Sequence, residues 1–328
     1  SRPEHLFAAG GPPINLRFIL EGEEEISGTA LPRFLRARGK QLKSDAVLIW
    51  DGGMDVGDTP AICNALRGIL YTELHATGPA IDLHSGTFGG VAPNPILSLA
   101  RVLGELKDRE GRITIPGFYD DVANPTSEEL ADWRQRDEEF AEAFKKDMGV
   151  QVLEGERGFV TRERAGSRPT LDANGIIGGF TGKGEKTVIP ARASAKVSMR
   201  LVPNQDWRKI FDSLQSYVQT LTTPGVQIRV EMLGSAPPVL CDVSHHAAKA
   251  LESAYQETFG KRTAFVRAGG SIPVAVDFQE TVGAPLVISG VPQADEGAHS
   301  PNERMVVDNY HGGIEAVIRF ICHLAERP

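Results

Sequence analysis

In RASAKVSMRLV (192–202), apolar and polar positions alternate: Ala193, Ala195, Val197, Met199 and Leu201 fall on one face, and Ser194, Lys196, Ser198 and Arg200 on the other. A period of two predicts a strand with one buried face. Three further segments read as strands, ILYTELHA (69–76), NGIIGGF (174–180) and VQIRVEML (226–233), and two as helices, NPILSLARVLGEL (94–106) and DWRKIFDSLQSYVQTL (206–221). Their order, β-α-β-β-α-β, is the ferredoxin-like pattern.

The two ends of the chain have a different grammar. NLRFIL (15–20) reads as a buried strand, TALPRFLRARGK (29–40) as a helix and DAVLIW (45–50) as a strand, which together predict a parallel βαβ unit. Towards the C-terminus, HHAAKALESAYQETFG (245–260) is a helix closed by a glycine, APLVISG (284–290) a strand and NYHGGIEAVIRFICHLAE (309–326) a final helix. A stretch from about 110 to 165 interrupts the ferredoxin-like order and carries TSEELADWRQRDEEFAEAFKKDMG (126–149), where Thr126 and Glu129 have the spacing of a capping box. The expected fold class is α/β: a discontinuous α/β domain, 1–66 with 238–328, hosting a ferredoxin-like domain over 67–237.

Composition narrows the function. At 328 residues, with 41% apolar and 24% charged, the chain is long enough for two cores and too apolar for disorder. A net charge of −8 argues against a nucleic-acid or anionic-membrane partner. No apolar stretch is long enough to span a bilayer and no signal-peptide pattern opens the chain, so a cytoplasmic location is expected. Cys63, Cys241 and Cys322 are far apart, with no C-x-x-C, and are expected to be buried free thiols. The opening SRPEHLF has no initiator methionine and runs at once into core-like sequence, as expected of part of a longer chain.

Candidate chemistry gathers at strand ends. Glu23, Glu24 and Glu25 follow NLRFIL, and adjacent carboxylates repel unless a cation, a donor or open water absorbs the charge. Asp51 follows strand 45–50, and His299 lies in the polar loop after strand 284–290. Ligands of open α/β sheets bind beyond the carboxyl ends of strands, so these groups could share one crevice. One imidazole with several carboxylates suits zinc, manganese or cobalt. Taken singly, each has a plainer reading: a solvated acidic run, a turn aspartate before two glycines, and an exposed loop histidine.

Six motifs in order, EGEEEISG, WDGG, DLHSGTFGG, GKGEKTVIPARASAKVSMRLVP, RAGGSIPV and DEGAHSPNE, resemble the carnosinase-like dipeptidases. These belong to the superfamily of di-metal peptidases that also holds aminoacylases, carboxypeptidase G and succinyl-diaminopimelate desuccinylases. The resemblance implies metal-dependent hydrolysis of dipeptides or short peptides with a free C-terminal carboxylate, using, in a complete chain, two divalent ions, zinc, manganese or cobalt. Glu24 would be the general base on the attacking water, and Glu25, Asp51 and His299 metal ligands. His84, in DLHSG, would stabilise the oxyanion in the partner subunit's site, which implies a homodimer. Arg200 would bind the substrate's C-terminus, with Thr187 and Ser271 as further substrate contacts.

The chain also departs from that pattern. The H-x-D and D-D-K segments that supply another histidine and a bridging aspartate do not occur, so three of five expected ligands are present and weak metal binding is expected. The alternatives left open are an N-acyl-amino-acid hydrolase of the same superfamily and a truncated, non-catalytic dimeric binding module.

Overall fold

The computed structural model describes residues 11–24, 28–270 and 272–326. In chain order the main elements are α1 (Ala30–Arg38), β1 (Val47–Trp50), β2 (Ala61–Leu66), β3 (Gly68–Thr77), β4 (Leu83–His84), α2 (Ser85–Phe88), α3 (Pro95–Glu105), α4 (Ser127–Gln135) and α5 (Asp137–Met148). They continue with β5 (Thr170–Gly178), β6 (Val188–Ile189), β7 (Arg192–Leu201), α6 (Trp207–Leu221), β8 (Gln227–Ala236), β9 (Val239–Leu240), α7 (His246–Phe259), β10 (Ala264–Ala268), α8 (Pro273–Thr281), β11 (Leu286–Gly290) and α9 (Val307–Ala325).

One sheet has the order β5-β7-β3-β8, antiparallel throughout. The alternation in β7 is the reason it can carry a helical layer on one side only. Ala193, Ala195, Val197, Met199 and Leu201 are buried together with Leu70 and Leu74 of β3, Leu99 and Val102 of α3, and Ile210, Leu214 and Val218 of α6. The other face holds Ser194, Lys196, Ser198 and Arg200, which are exposed or half-buried. Asn94 starts α3 by accepting the amide of Ile96 at 3.0 Å, and Pro95 follows at the position where a missing N–H costs nothing. This is the expected ferredoxin-like unit, element for element.

The second sheet is mixed, in the order β1-β11-β2-β10 with β9 attached to β2. β1 lies parallel to β11, and β2 parallel to β10, while β11 and β2 run antiparallel. Helices α7 and α9 cover one side, with Leu251, Ala254 and Tyr255 against Phe320 and Val287. The other side is closed by α1 and α8 through Leu35, Ala275 and Phe278. Gly260 ends α7 in the left-handed conformation expected of its glycine cap, at φ 65°. The three cysteines are free, Cys63 and Cys241 buried and Cys322 half-buried.

The predicted βαβ unit at the N-terminal end does not form. Residues 15–20 join no ladder among the described residues, and Phe18 and Leu20 are 80% and 93% exposed. An apolar run announces a strand's composition, but burial needs a neighbour, and β1 takes β11 as its parallel partner instead. The predicted helix at 126–149 divides at Arg136 into α4 and α5. Its capping box is present: Glu129 N–H donates to Thr126 Oγ1 at 3.2 Å, and Thr126 N–H to Glu129 Oε2 at 2.7 Å.

The interrupting stretch is tied to the mixed sheet by buried ion pairs. Arg267 of β10 donates through Nε and Nη2 to both Glu129 oxygens at 2.9 and 3.0 Å, and Asn64 Nδ2 adds a third bond at 2.8 Å. Asp55 accepts from Arg136 Nη1 at 3.1 Å and from Arg162. The two guanidiniums flank the Phe140 ring, 4.6 and 4.4 Å from its centroid.

Candidate active site

The crevice begins where β1 and β11 end side by side. The register pairs Trp50 with Ser289, so Asp51 emerges next to Gly290 at the carboxyl ends of two parallel strands. The chain stays in contact beyond that point, Gly52 N–H donating to Ser289 O at 2.9 Å and Met54 N–H to Pro292 O at 2.8 Å. The loop after β11 is braced by the buried Gln293, whose Nε2 donates to Arg304 O at 3.0 Å and whose Oε1 accepts from Val306 N–H at 3.0 Å. Arg304 also pairs with Asp295 at 2.9 Å. In the braced loop His299 takes a left-handed backbone, φ 59°, a conformation that a non-glycine residue seldom holds unless its surroundings impose it. Its imidazole is exposed.

The charge of this crevice is carried by more acids than the sequence motifs singled out. Burial, then the charges of Glu303 and Asp51, push the Glu296 carboxyl above its ordinary range. Asp51, Glu296 and Glu303 therefore share one electrostatic field. Among the described residues, however, no three His, Cys, Asp or Glu side chains gather as a complete ligand set. Glu24 is exposed, and Glu25 lies outside the described residues. A cavity of 480 Å³ adjoins the crevice, walled by Asp295, Glu296 and Arg304 and, from the end of α5, by Lys146.

A second set of candidates sits on the ferredoxin-like side. β4 pairs with β6, His84 opposite Val188, and Ser85 N–H donates to Thr187 O at 3.0 Å, so His84 and Thr187 are neighbours. Asp82 Oδ1 ties the other end by accepting Ala191 N–H at 2.8 Å. His84 Nδ1 accepts the amide of Gly86 at 3.0 Å. A neutral imidazole has one acceptor and one donor, so this bond leaves Nε2 as the N–H donor. Gly86 is required for the arrangement: a Cβ there would lie 2.6 Å from His84 Cε1.

Arg200 stands half-buried on the open face of β7, opposite Ile69 and Thr170. Beside it lies Arg67, the single residue between β2 and β3, which sequence reasoning passed over. Burial, then the charge of Arg200, lower the Arg67 guanidinium to about 10, against the opposing pull of Asp172. Its signal in the sequence was slight, a lone arginine before a glycine in ALRGIL. Ser271 lies outside the described residues.

Residues 64–226 match the peptidase dimerisation domain of the M20 family. The Cys-Gly metallodipeptidase DUG1 of Saccharomyces cerevisiae is 31% identical over 98% of this chain and 68% of its own length. The human Beta-Ala-His dipeptidase is 29% identical, over 96% of this chain and 63% of its own. The solved yeast Dug1p structure superposes with a TM-score of 0.82 at 30% identity, covering 99% of this chain and 69% of that one. The M20 family metallo-carboxypeptidase Sso-CP2 of Sulfolobus solfataricus superposes with a TM-score of 0.79 at 31% identity, over 94% and 70%. The chain thus spans about two thirds of the length of these relatives. Fold and likeness together define the class, a metallopeptidase in which a mixed α/β sheet is joined to a ferredoxin-like unit. Within that class the chain belongs to the M20 family.

Proposed function

We propose that the protein is a homodimeric M20 dipeptidase, hydrolysing dipeptides with a free C-terminal carboxylate. The observation that carries the reading is the acidic field of Asp51, Glu296 and Glu303 at the carboxyl ends of β1 and β11, in a chain whose dipeptidase relatives match it nearly end to end. We further take 1–66 with 238–328 as the catalytic domain and 67–237 as the lid and dimerisation domain.

In this reading Glu25, Asp51 and His299 would hold divalent metal, zinc or manganese by their donor chemistry, and weakly, since they are three of the five ligands that the resemblance calls for. When bound, such ions supply a water acidified towards neutrality and a polarised carbonyl. Glu24 takes the proton of the attacking water and passes it to the departing amine. His84 donates a hydrogen bond from its Nε2–H to the carbonyl oxygen as negative charge builds there, in the site of the partner subunit. Arg200, with Thr187 and Ser271, holds the substrate's carboxylate end. A guanidinium fork fits a carboxylate with two parallel bonds, which an amide cannot accept equally.

The test compares dipeptides, their C-terminal amides and N-acetyl amino acids as substrates of the purified protein with zinc or manganese. Free dipeptides should be cleaved fastest, and a chelator should abolish the activity. Preferential cleavage of N-acetyl amino acids would establish the acylase alternative instead.

A further inference from the structure

We propose that Asn174–Gly175 is a self-modification site, at which the Asn174 side chain closes on the following peptide and is converted to aspartate and isoaspartate. Of the chain's asparagines, only Asn174 precedes glycine. An asparagine amide can close on the next peptide nitrogen to form a cyclic imide, and glycine, with no Cβ, leaves that nitrogen unhindered. The fold presents this pair to water. β5 is an edge strand in the order β5-β7-β3-β8, and Asp172 to Ile177 are all exposed. In the ladder with β7, Ala173 is opposite Val197 and Gly175 opposite Lys196, so Asn174 falls between them as the extra residue of a bulge. A bulge disrupts the ladder locally and bends the strand. The rotation about the Asn174 Cα–C bond that closes the imide, which a straight paired strand resists, is thereby eased.

Room exists where the ring must form. Among the described residues, a Cβ built on Gly175 would meet nothing within 4 Å, whereas one on Gly52, which follows Asp51, would lie 3.0 Å from the Ser289 carbonyl carbon. Asp51–Gly52 is the only aspartate–glycine pair in the sequence, and its Gly52 N–H is bonded to Ser289 O at 2.9 Å, which holds it against β11. At Asn174 the Gly175 peptide nitrogen gives up its proton to hydroxide and attacks Cγ. The new C–N bond closes a succinimide, and the bond from Cγ to Nδ2 breaks, Nδ2 taking a proton from water and leaving as ammonia. Water then opens the ring with no change of oxidation state. Cleavage at Cγ leaves aspartate in a normal backbone, and cleavage at the Asn174 main-chain carbonyl leaves isoaspartate, whose peptide link runs through the side chain. Either product adds a carboxylate next to Gly175, the residue across from Lys196. Isoaspartate also lengthens the strand by a methylene, just ahead of the pairs Ile176 with Ala195 and Ile177 with Ser194. The edge of the ferredoxin-like unit thus records the age of the molecule as charge.

The test ages the purified protein in warm, mildly alkaline buffer and follows the tryptic peptide 165–183, in which Asn174 is the only side-chain amide. The peptide should gain the mass of an amide-to-acid exchange and separate into two products. One of them should accept a methyl group from a protein isoaspartate methyltransferase. Peptides carrying Asn204 and Asn302, which are also exposed but precede glutamine and glutamate, should stay unconverted over the same interval. Gly175→Ala, for which there is room, and Asn174→Gln should each block the conversion while leaving the circular dichroism unchanged. If the native peptide stays intact while a urea-unfolded sample converts, the fold shields Asn174 and the proposal is overturned. It is overturned equally if Gly175→Ala converts as fast as wild type, since the imide is then not the route, or if Asn204 and Asn302 convert as fast as Asn174.

Discussion

At His84 the proposed oxyanion role turns on one backbone contact. The Gly86 amide occupies Nδ1 at 3.0 Å and leaves Nε2 to donate, which is the tautomer an oxyanion needs. Gly86→Ala tests this without touching the histidine, because its Cβ would displace the ring from 2.6 Å away. We expect kcat to fall by on the order of a hundredfold with KM little changed, as for loss of an oxyanion donor. Added to His84→Ala, the same substitution should cost nothing further, and steady-state kinetics on the double variant reads this directly. Glu24 and Glu25 separate by a different measurement. Glu24→Gln should retain metal and lose nearly all turnover, whereas Glu25→Gln should lose metal, since only the ligand contributes directly to affinity. Elemental analysis showing equal metal loss in both would overturn the assignment.

Among the elements, what the sequence made legible was whatever periodicity alone determines. The β7 alternation fixed which residues face α3 and α6, because a strand's side chains have only two directions. The capping box at Thr126 and Glu129 was legible because its bonds span three residues. The segment at 15–20 was misread because strand burial depends on a partner far away in the chain. Strands β2 and β10, short and without alternation, went unnoticed for a related reason: AICNAL is buried on both sides, and no period marks it. Glu296 and Arg67 escaped because their significance lies in charges brought near by folding. Glu129 shows how far one carboxylate can serve two levels, capping α4 while holding Arg267 of the mixed sheet. Burial acts to raise its carboxyl, but the bonds from Arg267, Thr126 and Asn64 outweigh it and hold it below the ordinary range. A depressed carboxylate contributes stability above its unfolded pKa and loses it as pH falls through the folded value. Glu129→Gln should therefore destabilise by about 3 kcal/mol at neutral pH, because it leaves the Arg267 guanidinium buried and unneutralised. The difference from wild type should shrink in acid, where both side chains are neutral. Urea denaturation at the two pH values measures it, and a pH-independent difference would show that the ion pair is not its source.

For the whole molecule the decisive question is how the two sheets cooperate in one site. His84 and Thr187 belong to the ferredoxin-like side, and Asp51 and His299 to the mixed sheet. If each site borrows His84 from the other subunit, His84→Ala and Glu24→Gln homodimers should both be nearly inactive, yet their mixture should not be. In a mixed dimer, the subunit with intact Glu24 receives its histidine from the Glu24→Gln subunit, so one site is whole and the other doubly damaged. Statistical exchange makes about half the dimers mixed, and each has one working site, so roughly a quarter of wild-type activity should return by symmetry. An oxyanion donor is worth on the order of a hundredfold in rate, which sets that recovery far above the homodimer background. Exchange verified by mass spectrometry with no recovery would assign His84 to its own subunit or to no catalytic role, and would separate dimerisation from catalysis in this chain.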